Sequence, residues 1–169
     1  LKNALVELPA ERRERFVKLY GVKPSDVETL VTTKELSNYF EDVVSEFRGY
    51  AEAAEGADKA AADWEQIKPK ASGLIANWLI NRISGEHYEA HGLPVPAGDL
   101  GRLLWMVHSG QVNSPSATAL YEAMVKTKKG PHILMKEMGL EQVSDTRAID
   151  QAVKDAIAAN PKVVADLKA

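Results

Sequence analysis

The sequence predicts an all-α protein, and three observations carry that prediction. Apolar residues recur with the helical period along most of the chain, Ser, Thr and Pro stand where helices would start, and glycines stand where they would stop. No segment alternates apolar and polar residues for long enough to make a strand.

In chain order, Gly21 is the first stop, because glycine takes the left-handed conformation of a helix end cheaply. Ser25 with Glu28 and Thr32 with Glu35 each put a hydroxyl three residues before a glutamate, the reciprocal capping box that opens a helix. Leu36, Tyr39, Phe40, Val43, Val44 and Phe47 then form one broad apolar face, with Gly49 as its stop. The stretch Tyr50 to Asp63, rich in Ala, Glu and Asp with little to bury, is expected to be a mobile exposed helix or a tolerated insertion. Ile75, Trp78, Leu79 and Ile83 carry the next helix. Gly92 is a further stop, and His91 to Gly98, with Pro94 and Pro96, reads as a loop. Leu100, Leu103, Leu104 and Val107 make a helix that stops at Gly110. Ser114-Pro115 opens another, since the missing N–H of proline has no partner in a first turn anyway. Leu120, Tyr121, Met124 and Val125 continue it to Gly130. Beyond Gly139, Ile149, Val153, Ala156 and Ile157 repeat the period and Asn160-Pro161 marks a last helix start. The punctuation at Gly139 divides the chain into a helical bundle, residues 1–138, and the start of a smaller tail domain, residues 139–169.

With 169 residues, 45% of them hydrophobic and 27% charged, the chain can bury a core without staples. It has no Cys, which excludes disulfides, thiolate zinc sites, iron–sulfur clusters and cysteine nucleophiles. No apolar run reaches the length of a membrane span and no signal peptide is evident, so no membrane partner and a cytoplasmic location are expected. The first residue is Leu1, and the chain is expected to be a piece of a longer one. Charge is unevenly spread. Residues 1–101 hold 12 basic and 17 acidic groups, whereas from Arg102 to Lys136 there are five basic residues (Arg102, Lys126, Lys128, Lys129, Lys136) and one acidic, Glu122.

Catalytic chemistry is harder to find. His87 and His91 are four apart, as two zinc ligands on a helical turn would be, but Tyr88 stands where a zincin needs Glu and no third ligand is apparent; a solvated helix end is the plainer reading. His108 reads as a helix-end or half-buried histidine. Ser109-Gly110 and Ser72-Gly73 lack the surroundings of a nucleophile elbow and read as turns. Gly98-x-x-Gly101 is too short for a phosphate loop and follows no strand. Trp78 and Trp105 lie in apolar periodicities and read as core, with Trp64 the freer of the three. No catalytic residue and no metal site are therefore expected. Lys126-Thr127-Lys128-Lys129-Gly130 closes a helix, where cations complement the helix dipole; the same three lysines also present a compact positive surface to a nucleic-acid backbone.

A set of words in the sequence carries a resemblance over nearly the whole chain. They are Leu8-Pro9 with Arg12 and Arg15, Tyr20-Gly21-Val22, Tyr39-Phe40-Glu41, Ala76-Asn77-Trp78, Ser109-Gly110, Gly139-Leu140-x-Gln142-Val143-Ser144-Asp145 and Asn160-Pro161. In this order and spacing the chain resembles the C-terminal half of the B subunit of the aspartyl/glutamyl-tRNA amidotransferase (GatB), the region shared with YqeY-like proteins. It departs from that pattern in the alanine-rich stretch around residues 50–63, in Ser114-Pro115, and in stopping soon after Asn160-Pro161-Lys162, where such proteins continue into a basic segment and further helices.

The resemblance implies a helical bundle followed by the start of a YqeY-like tail, in an assembly with A and C subunits that converts Glu-tRNA(Gln) or Asp-tRNA(Asn) to the amidated form with ATP and glutamine-derived ammonia. It implies that the A subunit releases ammonia, and that the amino-terminal part of the B subunit activates the carboxylate and holds ATP and Mg. This region is left to grip tRNA by its elbow side, without catalysis or a cofactor of its own. Elbow recognition would be by shape and backbone, needing Lys and Arg on a rigid helical frame. Arg102, Lys126, Lys128, Lys129 and Lys136 are the residues assigned to it here, an assignment from charge and not a motif of the family. The rival expectations are a free-standing YqeY-like module that docks a protein, and a metal hydrolase using His87 and His91.

Overall fold

The computed structural model describes residues 7–83 and 93–140. Among them are seven helices and no strand: α1 (Pro9–Tyr20), α2 (Pro24–Leu30), α3 (Lys34–Glu55), α4 (Ala57–Arg82), α5 (Ala97–His108), α6 (Ser114–Thr127) and α7 (Pro131–Glu137). The all-α expectation holds. All of the expected tail beyond Leu140, with Ile149, Asn160 and Pro161, lies outside the described residues, as do His87 and His91.

The central element is α3, which packs along both α4 and α5; α1 and α2 lie against α4, while α6 and α7 pack on α5 and on each other. All six residues of the apolar face read from the sequence, Leu36 to Phe47, are buried, and Ala51 extends that face by another turn. Phe16 of α1, Leu30 of α2, Ile75 and Leu79 of α4, Leu100, Leu103 and Leu104 of α5 and Leu120 of α6 complete one continuous core. Gly101 lets α5 come this close to α3. A Cβ there would stand 2.8 Å from Glu46 Cβ and 3.0 Å from Phe47 N.

Several helix ends differ from the sequence expectation. The first capping box is not formed: Pro24 takes the first helical position, Lys23 is the N-cap, and Ser25 lies inside the first turn. The second is displaced by one residue. Thr33 is the N-cap and accepts from the Leu36 N–H at 3.1 Å, while Thr32 donates back to the Glu28 and Thr29 carbonyls and so finishes α2 instead. Asn113, not Ser114, caps α6, its Oδ1 accepting from the Ser116 N–H at 2.9 Å. Gly49 does not stop α3, which continues through the stretch expected to be an insertion as far as Glu55; Gly56 (φ 87°) makes the joint to α4. The loop before α5 ends at Pro96, so Gly98 is already helical. Gly130 begins α7 rather than ending α6, and Lys128, at φ 57°, supplies the left-handed end. Gly139 behaves as expected. Its φ is 62°, its N–H donates to Lys136 O, and Leu140 N–H donates to Met135 O, the paired bonds of a Schellman end.

Candidate nucleic-acid interface

The lysines assigned from charge lie on the corner between α6 and α7, and all of Lys126, Lys128, Lys129 and Lys136 are exposed. Lys126, in the last turn of α6, and Lys136, in the last turn of α7, form no ion pair among the described residues. Lys128 turns toward the loop before α5, where its Nζ donates to the Pro94 carbonyl at 3.0 Å. Lys129 turns toward α7 and pairs with Glu137 at 2.6 Å, which offsets part of its charge. Arg102 sits on α5, half-buried, with its guanidinium 5.6 Å from the Tyr50 ring centroid on α3.

The structure adds a residue that the charge argument missed. Arg82, the last residue of α4, lies with Lys126 around a cleft of about 200 Å³ that Pro94, Tyr121, Glu122 and Val125 also line. Its guanidinium stacks 4.6 Å from the centroid of Trp78 and donates to Thr118 Oγ1 at 2.9 Å. The signal was present in the sequence as Trp78 and Arg82 at i and i+4 on one helix, a cation–aromatic spacing. Its distance from the lysines in sequence concealed the grouping.

The other charged cluster is built for stability. Arg15 on α1 pairs with Glu7 at 2.6 Å and with Glu41 on α3, which also accepts from the Tyr20 hydroxyl at 2.7 Å, and Arg12 adds a 2.9 Å pair to Glu7. Hydrogen bonding from Arg15, with burial opposing it, holds Glu7 down at about 2. Burial raises the Glu41 carboxyl, but the bonds from Arg15 and Tyr20 outweigh it and the net shift is downward. Burial and the bond to Glu41 together push the Tyr20 phenol up to about 12. Every shift favours the charge state already present at neutral pH, so the cluster ties α1 to α3 and holds no group poised to exchange a proton. Four residues from the words that carry the resemblance, Arg12, Arg15, Tyr20 and Glu41, meet here.

The remaining candidates fall in place as structural residues. His108 is the exposed last residue of α5, its ring 5.5 Å from Phe47 and 5.7 Å from Trp105. Ser109 and Gly110 form the turn expected of them, whereas Ser72 and Gly73 lie inside α4 and make no turn. Trp64 is not free. It is buried where α4 packs along α3, with the Arg48 guanidinium of α3 5.6 Å from its ring centroid. No group of three metal-ligating side chains occurs among the described residues. No described helix is long and apolar enough to cross a membrane.

Comparison with known proteins agrees with the resemblance. Residues 38–169 match the family model of the GatB domain, shared by GatB and YqeY. Among curated proteins, the B subunit of the aspartyl/glutamyl-tRNA(Asn/Gln) amidotransferase of Elusimicrobium minutum is 36% identical over 163 residues, covering 96% of this chain and 30% of that protein. The protein of the same name from a Methylobacterium species is 35% identical over 170 residues, covering 100% of this chain and 31% of the relative. That from Carboxydothermus hydrogenoformans is 30% identical over 168 residues, 99% of this chain and 31% of the relative. The chain thus spans about 30% of the length of the curated relatives it matches. With more than half of its residues inside the family model and near-complete coverage by relatives above 30% identity, the chain belongs to the GatB/YqeY family.

Proposed function

We propose that this chain is the non-catalytic, tRNA-binding helical region of the B subunit of a tRNA-dependent amidotransferase, working with A and C subunits to turn Glu-tRNA(Gln) or Asp-tRNA(Asn) into the amidated form in the cytoplasm. Under this reading, carboxylate activation with ATP and Mg and the release of ammonia belong to the rest of the assembly. The bundle ends at the Gly139 turn, and residues 139–169 begin the tail domain. The observation that carries the reading is the α6–α7 corner: Lys126 and Lys136 stand exposed without carboxylate partners among the described residues, on a packed helical frame, and Lys128 and Lys129 lie between them. Such a surface suits a phosphate backbone, whose binding needs positioned cations and little base reading.

The test is removal of Lys126, Lys128 and Lys129 together, as Ala, in the full-length assembly. Binding should weaken for every tRNA tried, and the log–log salt slope should fall by about two, at roughly 0.7–0.9 for each phosphate no longer neutralised. Unchanged affinity and slope in a folded triple variant would remove the reading, leaving the lysines as helix-end cations worth about 0.3–1 kcal/mol each to stability. A second reading, a YqeY-like module that docks a protein, is favoured by Ile133 and Met138, two large apolar side chains exposed on α7 and just after it. Its binding would be insensitive to salt.

A further inference from the structure

The cleft between α4 and α6 has a composition that stability does not account for. Arg82 at its rim is exposed, yet its guanidinium is held on two sides, by the Trp78 face and by Thr118 Oγ1. A guanidinium has five N–H donors, and the bond to Thr118 uses one. No carboxylate pairs with Arg82 among the described residues. Fixing an arginine in advance lowers the entropy lost when it grips an oxyanion with two parallel bonds.

Lys126 brings a second cation to the same cleft, without an ion pair among the described residues, and Tyr121 also lines it. The Tyr121 ring is buried edge-on against Trp78, at 5.6 Å between centroids, and its hydroxyl makes no hydrogen bond among the described residues. Burial pushes its phenol up to about 12, against an opposing pull from Arg82, so at neutral pH it remains a donor. Lys128 holds Pro94, one of the lining residues, through the bond from its Nζ to the Pro94 carbonyl. Among the described lining residues Glu122 is the one carboxylate, against two cations. At about 200 Å³ the cleft is smaller than the roughly 300–1,000 Å³ of ordinary small-molecule pockets, which suits a single anionic group presented by a larger ligand.

We infer that Arg82, Tyr121 and Lys126 form a seat for one phosphate group of an RNA backbone, with Arg82 as the preformed fork. The inference rests on the tRNA-binding reading above and adds to the α6–α7 corner an anchor from α4, which fixes where the backbone must cross.

The experiment measures tRNA binding by the full-length assembly across a salt series for Arg82→Ala, Arg82→Lys and Tyr121→Phe, with the Lys126/Lys128/Lys129 triple variant alongside. Arg82→Ala should weaken binding about tenfold and lower the salt slope by roughly 0.7–0.9. Arg82→Lys keeps the charge and the packing on Trp78, so it should restore the slope and only part of the affinity, which also separates the effect from a folding defect. Tyr121→Phe should weaken binding a few-fold with the slope unchanged. Wild-type affinity and slope in Arg82→Ala, beside a weakened triple variant, would overturn the seat and leave the tRNA reading standing. Wild-type behaviour in both would overturn the two together. Loss of assembly with the other subunits in Arg82→Ala, with tRNA binding intact, would place an acidic protein segment in the cleft and overturn the inference as well.

Discussion

Two glycines inside helices give a matched test of what holds the bundle together. Gly101 of α5 and Gly49 of α3 are both interior helical positions, so replacing either by Ala brings the same intrinsic gain of roughly 1 kcal/mol in helix propensity. Their surroundings differ. At Gly49 nothing lies within 4 Å of the new Cβ, so Gly49→Ala should stabilise by about 0.5–1 kcal/mol. At Gly101 the new methyl meets Glu46 Cβ at 2.8 Å and Phe47 N at 3.0 Å, against ordinary contact of 3.4–4 Å. One of those neighbours is backbone and cannot rotate away, so α3 and α5 must part by roughly 0.6 Å, at which separation dispersion contacts lose about a quarter of their depth. The Phe47–Trp105 edge contact, 5.4 Å between centroids, lies in that seam. Overpacking costs about 1–3 kcal/mol, and about 2–3 where backbone has to move, so after the propensity gain of roughly 1 kcal/mol Gly101→Ala should destabilise by about 1–2 kcal/mol. At roughly 2–4 °C per kcal/mol for a chain of this length, thermal melts should show Gly101→Ala about 2–8 °C below the parent and Gly49→Ala about 1–4 °C above it. Urea titrations should move the midpoints in the same directions with m unchanged. A Gly101→Ala protein as stable as the parent would refute the claim that the α3–α5 approach depends on that missing Cβ.

The Glu7–Arg15–Glu41 network predicts an acid limb to stability. Both carboxyls lie below their ordinary value of 4.5, so their contribution is complete above that pH and is lost as pH falls below it, for Glu7 toward about 2. Melts between pH 6 and pH 2.5 should show a progressive loss on the order of 1–2 kcal/mol that Arg15→Gln flattens; a loss of equal size in that variant would assign the acid limb to other groups. At the start of α6, Asn113→Ala should cost about 1 kcal/mol while Ser114→Ala costs a few tenths at most, and the reverse order in chemical denaturation would return the cap to Ser114.

The order of residues alone specifies the helical class and most of the core, because both depend on a short-range period. Leu36 to Phe47 could bury one face only as a helix, and the spacing of Leu100 to Val107 and of Leu120 to Val125 left as little choice. It also determined the family, through words spread over the chain whose order no local property dictates. Helix ends were legible only in part, since Pro24, Thr33 and Asn113 compete with Ser25, Thr32 and Ser114 for the same starts over one or two residues, and local chemistry ranks such neighbours almost equally. It takes the packing of the helices to make Gly49 a passenger and Gly101 a contact point, to cover Trp64, and to bring Arg12, Arg15, Tyr20 and Glu41 into one network. The positive surface divides in the same way. Charge counting finds Lys126, Lys128, Lys129 and Lys136 because they are close in sequence, but Arg82 joins them only once α4 meets α6, and Arg102 turns toward Tyr50 only once α5 lies on α3; a one-dimensional pattern holds no record of which distant faces meet.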